Sequence, residues 1–246
     1  HGFRVKRFLD EGAVIEASPE QLAVAVDDVE FDASGDATVK GDMAITHDAI
    51  GLGALAGLGE PYAGLTGAGV GVALIDSGID LGHPAFAGRQ VVQMNFTDED
   101  TNDNYGHGTN IAGIIGGAAA GNGRGVAPGA TLVSLKVLNA DGSGKTSNVI
   151  RALDWVYKNA ARYNIRVVNM SLGHPVFESW RHDPLCRAVQ KLVDRGIVVV
   201  ASAGNYGVYD GKTVMGGIAS PGNTPGVITV GALNTKQTSG RSDDVV

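Results

Sequence analysis

From residue 65 onward, five short runs built mostly from Val, Ile, Leu and Ala recur between stretches of helical periodicity, and this alternation constrains the fold more than any other feature. The runs are 70–76, 131–138, 166–172, 197–203 and 226–233. Most are too apolar to keep one face in water, which predicts strands in the centre of a parallel sheet covered on both sides. Between them, Val149, Ile150, Leu153, Val156, Tyr157 and Ala160 recur at helical spacing behind Ser147, read here as the N-cap. In a second helix Asp183 caps, Pro184 takes the first helical position, Leu185, Val189, Leu192 and Val193 form the apolar stripe, and Gly196 ends it. The expected fold class is α/β, a doubly wound, mostly parallel sheet with helices on both faces.

Composition removes several alternatives. A chain of 246 residues with 43% hydrophobic and 18% charged residues can bury a substantial core and is not a disordered acidic tail. No run approaches 18 consecutive apolar residues, so no membrane partner is expected, and a net charge of −7 argues against nucleic acid as a partner. One cysteine, Cys186, excludes an internal disulfide and a thiolate metal cluster. It falls on the second helix and reads as an inert buried or half-buried thiol.

Residues 1–42 have a different texture. A strand is predicted over 12–17, Ser18-Pro19-Glu20-Gln21 is a capping box opening a short helix through Val26, and a second strand is predicted over 29–33. The charged, glycine-bearing stretch 34–42 reads as a boundary, and 51–59 as a second flexible-looking stretch. Two domains are expected, 1–42 and 43–246.

Three polar residues stand at places where ligands meet open α/β sheets. Asp76 ends the first strand run, at the carboxyl edge that faces the crevice. His107 lies between Gly106 and Gly108 at the start of a small-residue apolar stretch, where another chain can reach it. Asn205 follows the apolar run 197–203 and Gly204. Singly, each reads as a turn or structural residue. Together they supply what acyl transfer needs: a carboxylate to fix an imidazole, an imidazole to take a hydroxyl proton, and an amide to donate to an oxyanion. A dinucleotide fold, suggested by Gly67-Ala68-Gly69-Val70-Gly71, fails because these glycines precede their strand instead of following it.

The segments Ala73-Leu74-Ile75-Asp76-Ser77-Gly78, Gly106-His107-Gly108-Thr109 and Ala203-Gly204-Asn205 resemble the Asp, His and oxyanion-Asn motifs of subtilisin-like serine proteases. The Asp-to-His separation of 31 residues is close to that family's value of about 32. The resemblance covers residues 65–246 and implies a serine endopeptidase with Asp76 orienting His107, His107 as general base and then acid, and Asn205 as oxyanion donor. It further implies that Asp141-Gly142-Ser143-Gly144 and Ser171-Leu172-Gly173, with Ala203 and Gly204, bind an extended polypeptide substrate as an added strand. Ser220-Pro221-Gly222 resembles the pocket-floor turn. With Tyr206 and Ala219 nearby and no acid evident, an uncharged apolar P1 side chain is expected.

Residues 1–42 resemble the carboxyl half of the family's inhibitory propeptide, which would make the propeptide a partner and place self-cleavage near Asp42 or Met43. A secreted or cell-surface monomer without an organic cofactor is the corresponding expectation. Calcium is left open. Ala85 stands where the family often has a calcium-binding acid, and Asn122 is the one good oxygen side chain in 118–124. The cluster Asp98, Glu99, Asp100 and Asp103 partly mimics an EF-hand start but has Asp103 where glycine is needed, so a solvated loop is expected and no metal ligands are assigned.

Two further departures matter. Asn110 stands where the family often has a second His, and no serine lies in the family's Gly-Thr-Ser-Met-Ala context. A His-to-Ser spacing of about 157 puts the nucleophile near residue 264, beyond Val246. The expectation is therefore a fragment truncated within its catalytic domain and inactive by itself. A catalytically dead peptide-binding domain is the alternative.

Overall fold

Gly71–Asp76 is buried along its whole length, and its alternate side chains feed two different cores. A strand apolar on both faces is stable only with cover on both sides, and the computed structural model supplies that cover. It describes residues 4–9, 12–16, 18, 50–52, 64–118, 124–209, 212–214 and 216–232. The chain divides into two units, His1–Gly41 and Asp42–Val246.

In the first unit, β1 (Arg4–Leu9) pairs antiparallel with β2 (Gly12–Glu16). The strand expected over 12–17 is present as β2. β1 is not legible as a strand because its register shifts between Val5 and Arg7, which breaks the two-residue alternation. The helix expected through Val26, the strand over 29–33, the linker 34–42 and the cleavage point at Asp42 or Met43 lie outside the described residues.

The second unit is built on a six-stranded, all-parallel sheet. Its strands are β3 (Gly71–Asp76), β4 (Val91–Asn95), β5 (Thr131–Lys136), β6 (Ile165–Met170), β7 (Val198–Ser202) and β10 (Ile228–Val230), in the order β10-β7-β6-β3-β5-β4. A small hairpin of β8 (Val208–Tyr209) and β9 (Lys212–Thr213) precedes β10. Ala73, Ile75, Val133, Leu135, Val168 and Val199 point to one face, where they pack against α2 (Thr146–Asn159) and α3 (Pro184–Val193). Val72, Leu74 and Leu132 point to the other, against Ala112 of α1 (His107–Gly116) and a short 3-10 turn, Pro84–Phe86. Each fully buried Leu or Ile contributes about 1.5–3 kcal/mol to this arrangement.

Chain order leaves β3 in the middle: β4 and β5 lie to one side, β6, β7 and β10 to the other. The crossover from β5 to β6 therefore reverses direction at β3, and the crevice at such a reversal is where open sheets bind ligands.

Three expectations need correction or sharpening. The α2 N-cap is Lys145, with no side-chain cap bond, and Ser147 lies inside the first turn. The run 226–233 forms only the short strand β10, at the sheet edge, with Ile228 54% and Val230 51% exposed instead of central. β4, with its mixed Val-Val-Gln-Met-Asn sequence, was not expected, because an edge strand needs only partial burial and carries no long apolar run. Asp183 caps α3 as expected, accepting from the N–H groups of Leu185 and Cys186.

Candidate active site

The carboxyl end of β3 and the amino end of α1 meet closely because position 108 is glycine. A Cβ there would lie 2.2 Å from the Gly78 carbonyl oxygen, so any side chain would push the helix off the strand. The approach brings the two residues singled out in the sequence into contact. His107 Nδ1–H donates to Asp76 at 2.8 Å to Oδ1 and 3.0 Å to Oδ2. Asp76 is 1% exposed, so its carboxylate is sheltered and supplied with hydrogen bonds, as a buried charge requires. Ser77 donates to Asp76 Oδ1 from its N–H at 2.7 Å and from its hydroxyl at 3.2 Å. The same hydroxyl accepts from the N–H of Gly108 at 2.9 Å, tying the helix start to the strand end.

A second acid fixes the helix start. Asp103 Oδ2 accepts from the Thr109 N–H at 2.7 Å and from the Thr109 hydroxyl, while Oδ1 accepts from the Gly106 N–H at 2.8 Å. Gly106, the formal N-cap, has no side chain with which to do this. Burial pushes the Asp103 carboxyl up, but the hydrogen bonds from Thr109 and Gly106 help to outweigh it, and the carboxyl lies below the usual carboxylate range. The sequence offered Asp103 only as a possible metal ligand; the signal for its capping role is its place just ahead of an amphipathic helix.

His107 lines a cavity of about 400 Å³ together with Tyr105, Gly142, Ser143, Gly144, Ser171, Leu172, Gly173 and His174. The two expected peptide-binding segments thus face one another across the space beside the imidazole. A smaller cavity of about 220 Å³ shares Ser171, Leu172 and Gly173 and is completed by Ser202, Gly204, Asn205, Tyr206 and Ala219. Asn205 is exposed and, among the described residues, its carboxamide has no hydrogen-bond partner. Gly204 holds φ at +87°, and a Cβ there would meet Ala219 Cβ at 2.9 Å. Ala203 differs from its neighbours: its N–H donates to Val230 and its C=O accepts from Ala219, so its backbone is committed to the fold.

The acidic loop is also committed. Glu99 pairs with Lys136, Asp100 accepts from Asn102 and Asn104, and Asp103 caps α1. Among the described residues no three His, Cys, Asp or Glu groups converge on a point suited to a metal. Ala85 lies within the 3-10 turn with its methyl group buried and offers no oxygen of its own side chain, and Asn122 lies outside the described residues. The calcium site of the resemblance therefore does not fit this chain at Ala85. Cys186 is fully buried, and burial raises its thiol pKa above the usual value, as expected of an inert sulfhydryl.

A parallel α/β sheet carrying a hydrogen-bonded carboxylate–imidazole pair at its carboxyl rim, beside an open cleft, defines the class of molecule. The sequence pattern of the subtilase family matches residues 67–243. The chain belongs to the subtilase family. It is 40% identical over 196 residues to serine protease AprX of Bacillus subtilis (strain 168), covering 74% of this chain and 42% of that protein. To subtilisin E of the same organism it is 41% identical over 178 residues, covering 70% and 43%. The crystal structure of a cold adapted subtilisin-like serine proteinase superposes with a TM-score of 0.56 at 37% identity, over 68% of this chain and 56% of that one. The chain spans about two fifths of the length of these curated relatives. Among the described residues no helix is long and apolar enough to cross a membrane.

Proposed function

We propose that this chain carries the general-base pair and the oxyanion donor of a serine endopeptidase. The observation that supports it most is the Nδ1–H bond from His107 to the sheltered Asp76 carboxylate. With Nδ1 holding the proton, the lone pair of Nε2 is free to accept one. His107 takes the proton of an attacking serine hydroxyl and returns it to the leaving amine; Asp76 holds the ring and stabilises the imidazolium. The Asn205 carboxamide donates to the oxygen that becomes negative as the carbonyl turns tetrahedral.

The attacking hydroxyl belongs to a serine of the whole protein other than those already engaged. Ser77 is bonded to Asp76, Ser143 to Asp141, Ser171 to Asn169 and Ser220 to Asp183.

The substrate is an extended polypeptide lying between 142–144 and 171–173. The smaller cavity takes its P1 side chain, and a lining that carries no charged side chain among the described residues favours an uncharged one. Residues 1–42 act as the inhibitory propeptide of an exported, monomeric enzyme, with cleavage near Asp42; amino-terminal sequencing of the secreted protein tests this, and an intact residue 1 would contradict it. For the activity, the whole protein should hydrolyse succinyl-Ala-Ala-Pro-Phe-p-nitroanilide faster than an Arg-terminated analogue and lose activity on His107→Ala. Hydrolysis that survives His107→Ala would overturn the reading, and peptide binding without any hydrolysis would make the protein a dead binder.

A further inference from the structure

Lys136, the last residue of β5, is 1% exposed, and nothing in the proposed chemistry uses it. A buried ammonium is costly unless it is paired and hydrogen-bonded. Its partners come from one place. Nζ donates to the Asn102 carbonyl at 2.6 Å and pairs with Glu99 Oε2 at 3.2 Å, both in the loop that runs from β4 to His107. Glu99 in turn accepts the Ala140 N–H on both oxygens at 3.1 Å, and Ala140 opens the segment that presents Gly142, Ser143 and Gly144 to the cleft. The same two segments touch again at the cleft itself. Tyr105 packs its ring on Gly142 so closely that a Cβ there would fall 2.5 Å from Tyr105 Cζ. Lys136 also stands opposite Asp76 in the β3–β5 register, so its anchor point belongs to the strand end that holds the imidazole.

The geometry points to Glu99 and Lys136 as positioning residues that brace the His107 loop against the peptide-binding segment 140–144 and fix the distance between the imidazole and the substrate backbone. The inference takes its consequence from the proteolytic reading: the brace sets the register of the scissile bond against the general base. Neither residue touches the substrate. Lys136 holds Glu99, and Glu99 holds both loops, so removal of either lets the imidazole and the segment 140–144 shift independently.

The test compares the unaltered chain with Glu99→Gln, Lys136→Met and a control, Val156→Ala, which removes two methyl groups from α2 under the opposite sheet face. Two signals are read by NMR: amide hydrogen exchange at Ala140 and the imidazole 15N shifts of His107, which report its bond to Asp76. Glu99→Gln should speed Ala140 exchange about tenfold, the size of one lost charge-assisted hydrogen bond, and shift the His107 signals as well. Lys136→Met should do both, and Val156→Ala should leave the His107 signals in place. Unshifted His107 signals in both loop variants, or an equal shift in the control, would overturn the inference. Should Lys136→Met fail to fold, Glu99→Gln decides alone, since Glu99 is one-third exposed and its amide replacement is isosteric. Neither readout needs a substrate, so failure of the unaltered chain to bind succinyl-Ala-Ala-Pro-Phe-p-nitroanilide counts against the proteolytic reading and leaves the brace still decided.

Discussion

The two halves of the cleft are held in opposite ways. Around Asp76 and His107, polar groups are bonded from several elements: Ser77 from the strand end, Asp103 and Thr109 from the helix start, and a short contact through Gly108. Around Asn205 the backbone turn is fixed by Gly204 and Ala219, but the carboxamide stands exposed without a partner among the described residues. On the proposed proteolytic reading, the difference follows from when each group is used. A proton acceptor must be oriented before the substrate arrives, because the wrong ring tautomer cannot act. An oxyanion donor is wanted only when charge develops, and a partner in the resting protein would compete with it.

That contrast sets the expected sizes of effect. The largest belongs to the wired side: Asp76→Asn in the whole protein should lower kcat by about 10⁴-fold, because the ring loses the carboxylate that selects its tautomer. A smaller loss, about 10²–10³-fold in kcat, should follow Asn205→Ala, with KM and melting temperature unchanged. A clear drop in melting temperature there would break the comparison, since it would mean the carboxamide supports the resting fold after all.

Smaller again is Asp103→Asn, which replaces one of the two accepting oxygens with an N–H donor facing a backbone N–H and should cost about 1 kcal/mol of stability. Its sign with pH is fixed by the lowered pKa of Asp103: the contribution is complete above about pH 4 and is lost as pH falls through the folded value. Thermal unfolding at pH 5 and pH 3 should therefore show a smaller acid loss for Asp103→Asn than for the unaltered protein. An equal or larger loss would remove Asp103 from the wired side.

Much of the scaffold is legible in the sequence because strands buried on both faces must be apolar throughout; β3, β5 and β7 lie within the expected runs, and β6 starts one residue before its own. Asp76 and His107 are legible for a related reason: strand ends and glycine-flanked helix starts are marked locally. β4 and β1 escape because an edge and a register shift blur the period. The bonds made by Glu99, Asp103 and Lys136 escape for a different reason. Glu99 meets residues 37 and 41 positions later in the chain, and no local pattern announces such pairing. Lys136, ending a largely apolar run, is a visible hint, since a charge there needs a partner.

The molecule has a single sulfhydryl, and it is sealed inside α3 with its Sγ donating to Asn223 and lying 3.4 Å from the Ser220 hydroxyl. Maleimide should leave the folded protein unmodified and react after denaturation. Thiol-directed dyes or spin labels would then attach only where an engineer adds a new cysteine, for instance at Ser143 or Tyr206, which gives distance measurements across the cleft a silent background without any prior substitution.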